Sequence, residues 1–374
     1  MRKYWLDNIR WGTVMLVVIY HVFYIFNASN VFGSIGKFER VQYQDSILYF
    51  VYPWFMVLLY VVSGISTKYA LEKYSGKEFI KARTAKLLVP STLGVLVFQW
   101  IGGWFNVAAA GGFDNIPDDI PAAAKAVTQY ILSVVFGIGP LWFIQLLWLF
   151  SLIIVLLRKI DKSEKFYHLC GKVNFPVMIL FALLIWGSSF VLNASVIAVY
   201  RVGIYLTAFL LGYFVFSHEK VQERLQKFAV PLAAVAVCMG IGFTILYFGK
   251  NYADNSVLTS PVTNIYLWTA VLAVLACGRK FLDKTNQYTA YLSKCSWGIY
   301  IIHYLPLIAS AYFLYNNTEL PGIVMYTVVL IFTVVMSVLL YELIRRIPGL
   351  RYVILGIKSG KKKNETIHQN KESV

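Results

Sequence analysis

An arginine and a histidine stand eleven residues apart in a stretch otherwise fit for a membrane, Leu6 to Phe23, LDNIRWGTVMLVVIYHVF. At about a hundred degrees per residue, that spacing returns to nearly the same helical face, so Arg10, Val14, Val17 and His21 form one stripe. The two polar groups lie roughly 16 Å apart along the axis. Ionisable groups inside a span are expensive and need a reason. Imidazole takes a hydroxyl proton near neutral pH, which is general-base chemistry, and guanidinium holds anions. The plain alternatives are an arginine that snorkels to the helix end and a histidine bonded to a neighbouring helix.

Other candidates carry the same double reading. His303 lies in SKCSWGIYIIHYLP, with Ser296, Tyr300 and His303 on one helical face; of the five histidines, only it and His21 fall within apolar spans. YVVSGIST closes another apolar run with Ser63 and Gly64, small residues that let a helix or a ligand approach. GKEFIKARTAKLLVP brings Lys81, Arg83 and Lys86 ahead of the next run, as ordinary loop charge or as a phosphate clamp. GPLWFIQLLWLF opens a span with Trp142 and Phe143, where an interfacial aromatic belt belongs, and with Gln145 facing inward or onto a neighbour. Arg201 falls within a span near one end, placed to meet an anionic or sugar group or to snorkel outward. Glu342 precedes Arg345 and Arg346 by three and four residues, the spacing of an ion pair at a helix end. The four cysteines form no CxxC pair and no zinc-spaced cluster with histidine, so free thiols and no metal are expected.

Composition dictates what must position these groups. The chain is 59% hydrophobic and 14% charged, against about a quarter charged in soluble domains, and its mean hydropathy is +0.64. The fold class is all-α, a polytopic integral membrane protein. With about twenty apolar residues per crossing, ten spans are read, near 8–27, 46–67, 86–107, 140–157, 175–192, 196–216, 229–248, 263–278, 295–314 and 322–344. The stretch 121–138 ends in FGIGP and reads as an interfacial or re-entrant helix. The first apolar segment reads as a retained helix and not a cleaved signal peptide. On this topology 29 of the 34 Lys and Arg fall on one side, and only Lys37, Arg40, Lys125 and Lys250 on the other. That asymmetry predicts both termini in the cytoplasm. The longest outward loop is acidic around Asp114, Asp118 and Asp119. Residues 1–347 form the membrane domain, and 348–374 a basic cytoplasmic tail, disordered at its end. The net charge of +16 sits in short loops between apolar runs, which argues against nucleic acid as a partner.

These motifs resemble, in order, those of the integral-membrane acyltransferase-3 family. LDNIRWGTVMLVVIYH is similar to its first helix, with Arg, ten residues, then His; VVSGIST to the Ser-Gly motif closing its second helix; FIKARTAKLLVP to its basic cytoplasmic loop. GPLWFIQLL is similar to its Leu-Trp-Phe motif and SWGIYIIHY to its late Tyr-x-x-His motif. Trp11 departs from the glycine frequent after the arginine, and the chain resembles the single-domain form. The resemblance implies transfer of an acyl group, usually acetyl from acetyl-CoA as co-substrate with no permanently bound cofactor. The acceptor would be a hydroxyl of a cell-surface carbohydrate or lipid-linked glycan, at the plasma (inner) membrane. It further implies His21 as base or acyl carrier, with Arg10, Arg83 and Lys86, supported by Lys81, Ser63 and Gly64, around the donor. His303, Tyr300, Trp142 and Arg201 fall to the acceptor or to support. The rival readings are a transporter or flippase of a polar envelope precursor, which the lack of an internal repeat disfavours, and a membrane sensor or scaffold.

Overall fold

Apolar segments of this length must satisfy their backbone within themselves, and every described element is helical. The computed structural model describes residues 3–29, 31, 33–117, 119–192 and 201–358. Asp118, the start of the span read at 196–216, and the tail end beyond 358 lie outside the described residues. In chain order the helices are α1 (Tyr4–Tyr24), α2 (Ser46–Val51), α3 (Phe55–Leu71), α4 (Gly76–Arg83), α5 (Val89–Ser91), α6 (Trp100–Ala109) and α7 (Ala122–Phe136). There follow α8 (Trp142–Ile160), α9 (Lys165–Cys170), α10 (Phe175–Ser188), α11 (Val202–Phe214), α12 (Glu219–Gln226) and α13 (Ala229–Tyr247). The last are α14 (Asn255–Leu258), α15 (Pro261–Phe281), α16 (Gln287–Ile302), α17 (Tyr304–Asn317), α18 (Gly322–Ile344) and α19 (Pro348–Leu355).

Six stretches are long and apolar enough to cross a membrane: Tyr43–Leu71, Gly76–Ala109, Gly139–Ile160, Ala229–Tyr247, Pro261–Phe281 and Gly322–Ile344. Two bent pairs, α11 with α12 at 105° and α16 with α17 at 54°, raise the number to eight. Helix α1 matches a span in length, at 21 residues, but Asp7, Asn8 and Arg10 dilute its first turns. Helices α7 and α10 have only 15 and 14 residues, so the fifth span is shorter than read from sequence. The eighth is longer, because Pro261 starts α15 at its first turn, where proline's missing N–H costs nothing.

The segment Gly76–Ala109 is the least regular. A Ser75–Glu78 capping box opens it. Two π-helical turns, Thr84–Leu88 and Val95–Gln99, then flank Pro90. Proline gives no amide to the preceding turn and forces that turn to widen. The stretch read as a tail begins with structure: α19 buries Ile354 and Leu355 against the bundle.

Hydrogen bonds and ion pairs gather the basic loops at one end of the bundle. Asn8 donates to the Leu282 and Lys284 carbonyls at 2.6 and 2.7 Å. Glu219 pairs with Lys3 at 3.1 Å and Arg279 at 3.0 Å. Lys68, almost fully buried, reaches Glu164 at 3.0 Å and lies 3.8 Å from the Tyr167 ring centroid. Arg158 donates to the Leu71 carbonyl at 2.9 Å.

One close helix crossing joins α3 to α11. A Cβ on Gly64 would strike the Phe209 carbonyl, and one on Gly212 the Val61 carbonyl, so only glycine permits this approach. Both partners are backbone and cannot swing aside. Gly212→Val should therefore cost about 1–3 kcal/mol of stability, visible as a lower thermal midpoint in detergent, whereas Gly242→Ala, with open space around it, should leave that midpoint unchanged.

Candidate active site

The site is built on a broken helix. Pro306 cannot donate to the carbonyl of Ile302, and its ring crowds that turn, so α16 stops at Ile302 and α17 departs at 54°. His303 sits at the break, fully buried. Its Nδ1 lies 2.8 Å from the Tyr300 carbonyl and 3.2 Å from that of Ile299. A carbonyl only accepts, so Nδ1 carries the proton and Nε2 the lone pair. That Nε2 is buried without a partner. The break also releases the Ile301 carbonyl, and buried Gln99, on the second π-helical turn, donates to it.

His21 meets His303 from α1. Their ring centroids are 5.2 Å apart. The Nδ1 of His21 bonds the Val17 carbonyl at 2.7 Å, so this ring too presents an Nε2 lone pair. Tyr20, Tyr24 and Tyr304 stand around His21 at 5.4, 6.1 and 5.7 Å. Despite these rings His21 is only half-buried, where His303 is fully buried. Tyr304 is oriented by its hydroxyl, which donates to Asn106 at 3.0 Å. Two imidazoles with unused lone pairs lack a donor, and an entering hydroxyl supplies one. Such a pair can hold an O–H and take its proton.

A cation cluster occupies the same face of α1, nearer the basic end. Arg10 donates to Asp7 at 3.1 Å and to Ser66 at 2.8 Å. Arg83 donates to Thr67 at 3.0 Å and lies over the Phe79 ring. Neighbouring residues of α3 thus anchor two arginines, which are close enough to repel each other and Lys86. Lys86, on the first π-helical turn, stands 5.2 Å from the Trp297 ring centroid. The Trp297 indole N–H donates to the Leu355 carbonyl at 3.2 Å. Gly356, with φ at +66°, lays its backbone against Ala85 and Lys86, so α19 buttresses the turn that carries Lys86. Among the described residues Arg83 and Lys86 pair with no carboxylate, leaving a standing positive potential that suits phosphates.

The sequence candidates divide accordingly. Arg10, Arg83 and Lys86 come together, and His21 and His303 meet. Ser63 lies one turn from Ser66 on α3, half-buried. Lys81 is exposed on α4. Of the two uses open to Gly64, helix approach is the one it serves. Tyr300 supports the break, its hydroxyl donating to the Pro140 carbonyl. Trp142 and Phe143 do not form an interfacial belt: both are buried, Trp142 stacked on Tyr205 at 5.4 Å and Phe143 packed on Tyr60 and Tyr300. Gln145 donates to the Ser91 carbonyl at 3.0 Å. Arg201 does not snorkel; it is 3% exposed. Glu342 pairs with Arg345 and Arg346. Ser66, Thr67, Gln99 and Trp297 went unread, although the first two stand in the same SGIST motif.

The sequence model of the family described as an acyltransferase domain matches residues 3–342. Among curated proteins the chain is similar to glucans biosynthesis protein C of Escherichia coli O139:H28 (strain E24377A / ETEC), Shigella boydii serotype 4 (strain Sb227) and Escherichia coli (strain K12). Identity is 21% over 399 residues in each case, covering 97% of this chain and 97% of the relative. No solved structure matches.

The difference in burial between the two imidazoles is open to chemical test. Diethylpyrocarbonate should modify His21 in the folded protein and spare His303 until denaturant is added, as read by peptide mass spectrometry. Equal modification of both in the folded state would contradict that difference in burial.

Proposed function

The chain belongs to the acyltransferase-3 family and is an acyl-transferring membrane enzyme, and from that premise we propose which groups it moves and how. The donor is acetyl-CoA, entering at the basic end from the cytoplasm, with both termini on that side of the inner membrane and ten crossings in all. The acceptor is a hydroxyl of a glucan or related envelope glycan, the class that the relatives' name indicates. The observation that carries this reading is the alignment along α1: a cluster of three cations at one end and two imidazoles in contact roughly 16 Å further along.

Arg10, Arg83 and Lys86 hold the phosphates of coenzyme A, and the pantetheine arm runs along α1 past Ser63. The thioester then lies beside His21. The Nε2 of His21 takes the proton of the acceptor hydroxyl as its oxygen bonds the thioester carbonyl carbon. The carbon–sulfur bond breaks, and the departing thiolate takes the proton back from the imidazolium. His303, held with its own Nε2 lone pair beside His21, orients the hydroxyl. A covalent acyl-His21 is a variant of the same chemistry, distinguished by a burst and ping-pong kinetics.

A positioned base contributes about 10²- to 10⁴-fold in rate. His21→Ala should lower kcat by that factor in the purified enzyme while the thermal midpoint stays put; undiminished transfer by this variant would remove His21 from the chemistry. Arg83→Ala should instead raise KM for acetyl-CoA roughly tenfold, the loss of one charge-assisted hydrogen bond to phosphate. An unchanged donor KM would exclude Arg83 from the clamp.

A further inference from the structure

Arg201 takes no part in the chemistry above, yet it is the costliest residue of its region. It sits at the N-terminus of α11, where the helix dipole already makes the surroundings positive. It is 97% buried, and among the described residues it makes one hydrogen bond, from Nη2 to the Leu258 carbonyl at 3.2 Å, with no partner for its Nε. No carboxylate pairs with it among the described residues, and the sequence holds none between Glu164 and Glu219. A buried guanidinium with spare donors and no counter-charge is costly, and an incoming anion would relieve that cost.

Its surroundings connect it to His21. The guanidinium acts electrostatically on the phenols of Tyr52 and Tyr205. Tyr205 lies one turn along α11 and stacks on Trp142 and Tyr60. Tyr52 is half-buried and stacks on Tyr20 at 5.9 Å, and Tyr20 meets the His21 ring edge-on at 5.4 Å. Helices α3 and α11 run parallel, with Tyr60 beside Tyr205 and Gly64 beside Phe209. That register puts Arg201 level with the start of α3, the depth at which Phe55 meets Tyr20. Arg201 and His21 therefore share a depth, joined by tyrosine faces of the kind on which sugar rings stack.

We propose that Arg201, with Tyr52 and Tyr205, forms a subsite for a carboxylate or phosphate carried by a molecule that reacts at His21. The subsite rests on the acyltransferase reading. The anion belongs either to a charged substituent of the acceptor glycan or to the far end of a dicarboxylic acyl group, and the test separates the two. A fork of charge-assisted hydrogen bonds is worth about 10- to 100-fold in affinity.

In the purified protein, fluorescence titration should show glucuronate binding about tenfold or more tighter than glucose. Arg201→Gln should abolish that preference and Arg201→Lys, which keeps the charge without the fork, should retain part of it. If the anion is on the acyl group, the sugars bind alike and the preference appears instead between succinyl-CoA and acetyl-CoA as donors, again lost in Arg201→Gln. Should Arg201→Gln fail to fold, phenylglyoxal modification of Arg201 in the wild type, followed by mass spectrometry, gives the same answer: glucuronate or succinyl-CoA slows it, glucose and acetyl-CoA do not. No anionic preference in either pair, or one that survives in Arg201→Gln, overturns the subsite. A wild-type protein that prefers glucuronate but transfers no acyl group would overturn the enzyme reading and leave the subsite standing.

Discussion

A single missing hydrogen bond organises the centre of this molecule. Because Pro306 has no amide hydrogen, α16 cannot continue past His303. The turn that results opens carbonyls that a regular helix would keep to itself. His303 spends its Nδ1 proton on that of Tyr300, and Gln99 crosses from another span to satisfy that of Ile301. The tautomer of the buried histidine, the attachment of the second π-helical turn and the direction of α17 all follow. Without the break, His303 would be one more side chain on a helix face and would have no fixed tautomer to offer its neighbour on α1.

Electrostatics then divides the length of the bundle. Near the basic end several cations are matched: Lys3 and Arg279 by Glu219, Lys68 by Glu164, Arg345 by Glu342. Such pairs hold the loops in place and neutralise one another. Arg10 has Asp7 as a counter-charge, but Arg83 and Lys86 are held by a hydroxyl and aromatic faces, from Thr67, Phe79 and Trp297. Those partners fix geometry without cancelling charge. Arg83 and Lys86 therefore keep their charges side by side within the fold.

Much of this was legible along the chain, and the rest was hidden for identifiable reasons. The Arg10–His21 stripe needed only helical periodicity, and the convergence of basic loops only a count of charges by side. Span lengths were less legible, because hydropathy does not say where a helix ends: α10 is shorter and α15 longer than the apolar runs suggest. The aromatic pair Trp142–Phe143 misled, since a belt aromatic and a core aromatic look alike in one dimension and differ only in what packs on them. The break at His303 was written in HYLP, where a proline follows the histidine by three residues, a recognised cause of kinks. The anchors Ser66 and Thr67 were invisible in a stronger sense: nothing in a linear sequence says that Arg10 and Arg83 arrive on the same turn of α3. Helix α19 carried both of its boundary signals, Pro348 at its start and Gly356 after its end, within a stretch whose charge suggested only a solvated tail.

That last helix has a consequence in time. A membrane protein is threaded into the bilayer from its N-terminus as it is made, and its segments pack in that order. Gly356 and Leu355, which brace Lys86 and Trp297, leave the ribosome some 270 residues after Lys86 itself. The spans can all be inserted before this brace exists. This brace thus forms only after every span before it has emerged, and a chain stopped before Leu355 would carry Lys86 and Trp297 without it.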